Sequence, residues 1–192
     1  MNEQTVTIRV NGRAHGFVVG RDFAAEDSLA KLLRERLGYT GVRLSCEQGA
    51  CGACTVLLDG VSVLSCMMLA VEADGHAVTT IEGLPEDDFV IREFVEMNEP
   101  DYGTTMQCGF CTPGFILEAH SLLRENPSPD EDAIRDGLSG HICRCGCYQG
   151  IQRAVERCVE SAAGAAGAAD AAGAAGAAGA DEGRCAGCTN HA

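Results

Sequence analysis

Eight of the twelve cysteines fall into two groups of four: Cys46, Cys51, Cys54 and Cys66, then Cys108, Cys111, Cys143 and Cys145. The first group reads C-x4-C-x2-C with a fourth cysteine twelve residues further on, which is the spacing that holds a plant-type 2Fe-2S cluster. Two irons bridged by two sulfides take four thiolates, and the negative charge of the assembly calls for backbone N–H donors around it. Gly49, Ala50, Gly52 and Ala53 are small enough to let the chain curl closely about such a core. Disulfides suit the pattern poorly, because dense cysteines in a chain that reads as cytosolic more often hold metal.

The second group is C-x2-C at Cys108 and Cys111, a gap of 31 residues, then C-x-C at Cys143 and Cys145. Spacing alone leaves two readings open, since a four-thiolate zinc site also accepts two close pairs of cysteines. The surrounding residues carry more. Gln107-Cys108-Gly109-Phe110-Cys111-Thr112-Pro113-Gly114, followed by Leu138-Ser139-Gly140-His141-Ile142-Cys143-Arg144-Cys145, resembles the iron–sulfur small subunits of the xanthine oxidase family of molybdenum hydroxylases. The similarity runs from about Thr5 to about Val159 and includes the plant-type loop.

The resemblance implies two 2Fe-2S clusters on this chain, with a molybdopterin-type molybdenum cofactor and FAD on partner subunits. Cys46, Cys51, Cys54 and Cys66 would hold an outer cluster facing the flavin. Cys108, Cys111, Cys143 and Cys145 would hold an inner cluster nearer the molybdopterin, with Gln107 hydrogen-bonded to the pterin and Cys145 close enough to couple to it. Substrate chemistry would sit on a large molybdenum subunit, so no catalytic residue is assigned here. A medium FAD subunit would complete a heterotrimer, often paired as a dimer of trimers. Relatives with similar small subunits act on xanthine, carbon monoxide, aldehydes, N-heterocycles and hydroxybenzoyl thioesters. One departure stands out: where the family continues C-R-C-T-G-Y-Q, this chain has Cys143-Arg144-Cys145-Gly146-Cys147-Tyr148-Gln149. Cys147 is an extra thiol that could be a spectator or compete with Cys145 for an iron, and the intact C-x-C pair favours the spectator; Cys158 reads as an ordinary buried cysteine.

Composition agrees with an electron-transfer subunit. At 192 residues there is room for two small domains and none for one that encloses molybdopterin. No dinucleotide fingerprint, P-loop or nucleophile–base constellation appears, and His15, His76, His120, His141 and His191 are scattered as solvated or structural histidines. A formal charge of −14 with 14 Lys plus Arg excludes tracking of a nucleic-acid backbone and suits partner surfaces or solubility. The opening residues lack the basic flank and apolar run of a signal peptide, and no stretch reaches the ~20 apolar residues of a membrane span. The chain is therefore read as cytoplasmic.

The elements that must position these cysteines give an α+β fold class. Residues 1–82 alternate as a strand at Thr5 to Val10, turn at Asn11-Gly12, and return from His15 to Val19. A helix from Ser28 to Leu37 ends at Gly38. A second hairpin, Thr55 to Leu58 and Val61 to Ser65 around Asp59-Gly60, delivers Cys66 to the cluster loop. This is an N-terminal β-grasp plant-type ferredoxin domain, which the resemblance also implies. Residues 88–160 read as an all-α four-helix-bundle 2Fe-2S-binding domain, with helices at Phe89 to Met97, Pro113 to Glu125, after the Ser128-Pro129-Asp130-Glu131 capping pattern, and Ile151 to Val159. Glu82 to Asp88 is the linker. Residues 161–192 are Ala/Gly-rich and expected to be a disordered C-terminal tail, carrying an isolated C-x2-C at Cys185 and Cys188. Two other readings compete: a free-standing two-cluster ferredoxin-like electron carrier, and a redox sensor working through that terminal pair.

Overall fold

The computed structural model describes residues 4–175, with side chains described through 162. The chain divides into a unit Met1–Val159 and a second unit Glu160–Ala192. Both cysteine quartets lie in the first.

That unit opens on a hairpin, β1 (Thr5–Val10) and β2 (Arg13–Val18), paired from Thr5↔Val18 to Val10↔Arg13. Asn11 and Gly12 both take positive φ, 49° and 79°, the primed turn whose twist matches that of the strands. Val6, Ile8 and Val10 point inward and are fully buried. The second hairpin, β3 (Thr55–Leu58) and β4 (Val61–Leu64), repeats the device at Asp59 and Gly60, with φ of 51° and 86°. Between the hairpins sits β5 (Ala77–Thr79), parallel to β1 and antiparallel to β3, giving a mixed sheet of order β2-β1-β5-β3-β4.

One face of the sheet is covered by α1 (Leu29–Lys31), which Ser28 caps through the Lys31 N–H. The chain then widens into a π turn over Leu32–Arg36, so the single regular helix expected from Ser28 to Leu37 is corrected. The Leu37 N–H reaches back to Leu32 O at 3.3 Å, and the wider turn leaves Leu29, Leu32 and Leu33 packed on Val6, Ile8, Val10 and Val56.

The remaining helices are α2 (Phe89–Glu96), α3 (Thr112–Glu125), α4 (Glu131–Gly137) and α5 (Tyr148–Ala175); a two-residue ladder, β6 (Asn98–Glu99) with β7 (Gly103–Thr104), lies between α2 and α3. Val90, Phe94, Phe115, Ala119, Ile134, Ile151 and Val155 form their shared core. Asp88 caps α2 by accepting from Val90 N and Ile91 N, and Asp130 caps α4 by accepting from Ala133 N at 2.8 Å. The cap of α4 is thus Asp130 and not Ser128. Helix α5 starts three residues before the expected Ile151 and runs on to Ala175. Its alanines have the highest helix propensity, and propagation from an already packed helix avoids the cost of nucleation. Cys185 and Cys188 lie outside the described residues.

Sheet and helices share one contact surface. Ser62 N donates to Ser121 Oγ at 3.0 Å, Ser62 Oγ to Glu118 Oε1 at 3.1 Å, and Arg124 Nη1 to Asp59 O at 2.9 Å, tying β4 and its turn to α3. The fold is α+β. Among the described residues no helix is long and apolar enough to cross a membrane.

Candidate metal centres

The loop from Ser45 to Cys54 leads into β3, and β4 leads out to Cys66, so the hairpin register fixes both ends of the first quartet. The structure brings these four cysteines together in two interacting pairs, Cys46 with Cys51 and Cys54 with Cys66. Backbone donors turn inward on the exposed side of the loop. The Gln48 N–H lies against Cys46 Sγ, which also accepts from Ala50 N at 3.4 Å. Together with the Cys51 thiol these donors lower the Cys46 thiol to about 7, whereas burial pushes Cys54 up to about 12.

The second quartet is assembled from two places. Cys108 and Cys111 lie just before α3, Cys111 in its N-cap position; Cys143 and Cys145 arrive on the turn between α4 and α5. Cys145 Sγ stands 3.5 Å from Cys108 Sγ at the surface, and Cys111 pairs with Cys143 in the interior. The Phe110 N–H and the Cys145 thiol lower Cys108, while burial raises Cys111 to about 12. Burial also opposes ionisation of Cys143, but the Cys147 N–H, the Cys111 thiol and the Cys145 N–H outweigh it and hold that thiol low.

Each quartet therefore mixes thiols already stabilised as thiolates with buried thiols that lose a proton only when a cation takes its place. Converging sulfurs with inward N–H groups, one edge exposed and one buried, fit a small anionic iron–sulfur core. Among the described residues no group of three or more His, Cys, Asp or Glu has the geometry of a single-ion site.

The two loops touch. Ile142 N donates to Cys51 O at 3.0 Å, so one hydrogen bond joins a residue adjacent to Cys143 with a residue of the first quartet. Beside it His141 is buried against the Phe115 ring, 5.0 Å between centroids, with Nε2 3.0 Å from Thr55 Oγ1. The Thr55 hydroxyl also donates to Gly52 O at 2.8 Å, which ties the His141 ring to the first cysteine loop. Burial lowers His141 to about 4, partly offset by the Gly114 backbone; the ring is neutral near pH 7. Gly52, at φ 71°, lies under this ring, where a Cβ would overlap it. Gly114 in α3 likewise abuts the Gly52 carbonyl. Sequence reasoning placed His141 among structural histidines and missed its position at this seam; the small residues Gly52 and Gly114 flanking two metal motifs were the available signal.

Of the other expected site residues, Gln107 is exposed beside exposed Cys108, and Cys145 is half-buried. Cys147 and Cys158 are buried in the helical core.

Comparison with known proteins matches residues 26–100 to a 2Fe-2S iron-sulfur cluster binding domain and residues 80–156 to a 2Fe-2S binding domain. The chain is 41% identical over 150 residues to the nicotine 6-hydroxylase small subunit of Paenarthrobacter nicotinovorans, covering 78% of this chain and 86% of that one. It is 40% identical over 166 residues to the nicotinate dehydrogenase small FeS subunit of Eubacterium barkeri, covering 85% and 99%. The crystal structure of quinoline 2-oxidoreductase from Pseudomonas putida 86 superposes with a TM-score of 0.73 at 37% identity, covering 85% of this chain and 97% of that chain. Two cluster-binding domains in this order, in a chain that spans nearly the full length of such relatives, place the protein among the iron–sulfur small subunits of the xanthine oxidase family of molybdenum hydroxylases.

Proposed function

We propose that this chain relays single electrons from a molybdopterin-bearing large subunit, through an inner and then an outer 2Fe-2S site, to FAD on a medium subunit during water-dependent hydroxylation. When bound, each 2Fe-2S group accepts and returns one electron at a potential set by hydrogen bonds, charge and burial. Cys108, Cys111, Cys143 and Cys145 are the proposed inner ligands, and Cys46, Cys51, Cys54 and Cys66 the outer ones. The observation that carries the reading is the Ile142 N–H···O=C Cys51 bond at 3.0 Å, a short connection between the two quartets.

The exposed edge formed by Gln107, Cys108 and half-buried Cys145 supports docking of the pterin there, with Gln107 as its hydrogen-bond partner. Phe110 and Ile142, both large and exposed beside this edge, supply apolar contact area for the large subunit. Met67 and Leu69, exposed and close to Cys66 in sequence, suit the FAD subunit. Such surfaces belong to a heterotrimer, paired as a dimer of trimers in the cytoplasm. A free-standing carrier would have no use for a pterin-facing edge. The finer architecture we assign is a β-grasp ferredoxin half over residues 1–82 and a four-helix-bundle half over 88–160.

The test is elemental analysis of the intact complex purified from its own host through a mild tag. An iron-to-molybdenum ratio of about 4, two irons in each of two clusters, is the expected result. Iron without molybdenum in an intact complex would overturn the assignment in favour of the free carrier.

A further inference from the structure

We infer that Cys147, the third thiol of this chain's C-R-C-G-C-Y-Q turn, is a second hydrogen-bond donor to Cys143 Sγ and raises the reduction potential of the inner cluster. The inference rests on Cys143 being a ligand of that cluster. Three observations carry it. Gly146 turns the chain, its N–H donating to Cys143 O at 3.1 Å, so that residue 147 folds back beneath Cys143. The Cys147 N–H then donates to Cys143 Sγ at 3.4 Å in a buried setting. The Cys147 side chain is 6% exposed and packs in the same core as Cys111, Cys143 and Ile151.

The placement decides between ligand and donor. The pairs Cys108 with Cys145 and Cys111 with Cys143 already make a complete set of four thiols. Cys147 is buried in the helical core, whereas Cys108 is exposed. Its carbonyl is fixed as well, accepting from Ile151 N at 2.9 Å in the first turn of α5, so the residue cannot swing outward without unwinding that turn. A thiol held there serves Cys143 as an S–H donor.

A donor aimed at a ligand sulfur stabilises the more negative, reduced form of the cluster, so removing it lowers the potential. Relatives that carry Gly at this point of the motif have the backbone N–H without the thiol. The inner site of this chain is thereby the better electron acceptor.

The experiment uses the whole complex carrying Cys147→Ala, Cys147→Ser or, in parallel, Cys143→Ser, with iron content and EPR-monitored redox titration of both clusters. The signal that Cys143→Ser abolishes identifies the inner cluster. Cys147→Ala is expected to keep all its iron and to weaken reduction of that cluster about tenfold, which is 59 mV for one electron, leaving the outer cluster unmoved. Cys147→Ser, which retains an O–H donor, should shift by less than half as much. Deuterium exchange followed by ENDOR should show one exchangeable coupling fewer in Cys147→Ala. An unmoved potential with full iron in Cys147→Ala would overturn the donor role, as would loss of about half the iron, which would make Cys147 a ligand. Full iron in Cys143→Ser would instead defeat the ligand assignment beneath it.

Discussion

Gly114→Ala isolates the seam between the two cluster loops. The substitution sits in α3, where Ala is intrinsically better than Gly by about 1 kcal/mol. The structure reverses that gain. A Cβ at residue 114 would overlap the Gly52 carbonyl oxygen and stand 3.3 Å from its carbon and 3.4 Å from Ala53 Cα. These are backbone atoms of the first cysteine loop, held by Thr55 N and Thr55 Oγ1 on Gly52 O and by Ile142 N on Cys51 O. The loop must retreat by about 1 Å to reach an ordinary non-bonded separation. Overpacking of this kind costs about 1–3 kcal/mol, and rigid backbone on one side puts it near the upper end, for a net loss of about 2 kcal/mol. In a chain of this size that is about 4–8 °C. The retreat also lengthens the Ile142–Cys51 hydrogen bond. The assay is thermal loss of the visible cluster absorbance in the purified complex, paired with stopped-flow reduction of the flavin by substrate. Gly140→Ala, with nothing within 4 Å of its Cβ, is the control and should melt like the parent. A Gly114→Ala complex that melts at or above the parent temperature with unaltered flavin reduction would refute the reasoning.

Three further outcomes are expected. Cys108→Ser and Cys145→Ser should each stop the relay at its inner end, so that substrate no longer reduces FAD; normal flavin reduction in either would sink the ligand assignment. Glu118, whose carboxyl is raised by burial and partly compensated by the Ser62 hydroxyl, holds its proton to higher pH in the folded chain than in the unfolded one. Its contribution is therefore fully present below the unfolded value and is lost as pH rises through the folded one, so Glu118→Gln should flatten that part of a stability-against-pH profile measured by thermal melting. An unchanged profile would assign the slope to other groups. Truncation after residue 160 should leave substrate turnover intact in steady-state assays, whereas a drop would give the terminal C-x2-C a working role.

Much of this was legible because short-range chemistry dictates it. Asn11-Gly12 and Asp59-Gly60 admit positive φ, so each hairpin declares itself. Asp88 and Pro113 mark helix starts through their own side chains. The cysteine spacings survive because iron–sulfur chemistry tolerates few arrangements. What escaped depends on partners far along the chain. Three residues, Ala77-Val78-Thr79, are too few to show alternation, and they form a strand only because β1 and β3 leave a slot between them. The π turn at Leu32–Arg36 follows the shape of the sheet beneath it. Ser128 lost the cap of α4 to Asp130, two residues on, since both side chains can do the job and packing of Ile134 sets the register. His141 gives no periodic signal, and its burial against Thr55 is a contact across 86 residues.

The late arrival of β5, and of Ile142 after it, fixes an order of events on the ribosome. The N-terminal hairpin and the Asp59-Gly60 hairpin can each close locally, but they become one sheet only when Ala77–Thr79 emerges to bridge them. The loop bearing Cys46, Cys51 and Cys54 is not fully tethered until residue 142 supplies its N–H to Cys51 O. Non-local closures of this kind are slow and come last. Iron and sulfide thus meet a tethered first loop only once residue 142 has emerged. Nascent fragments that stop short of residue 142 expose the thiols of this loop without a settled cradle.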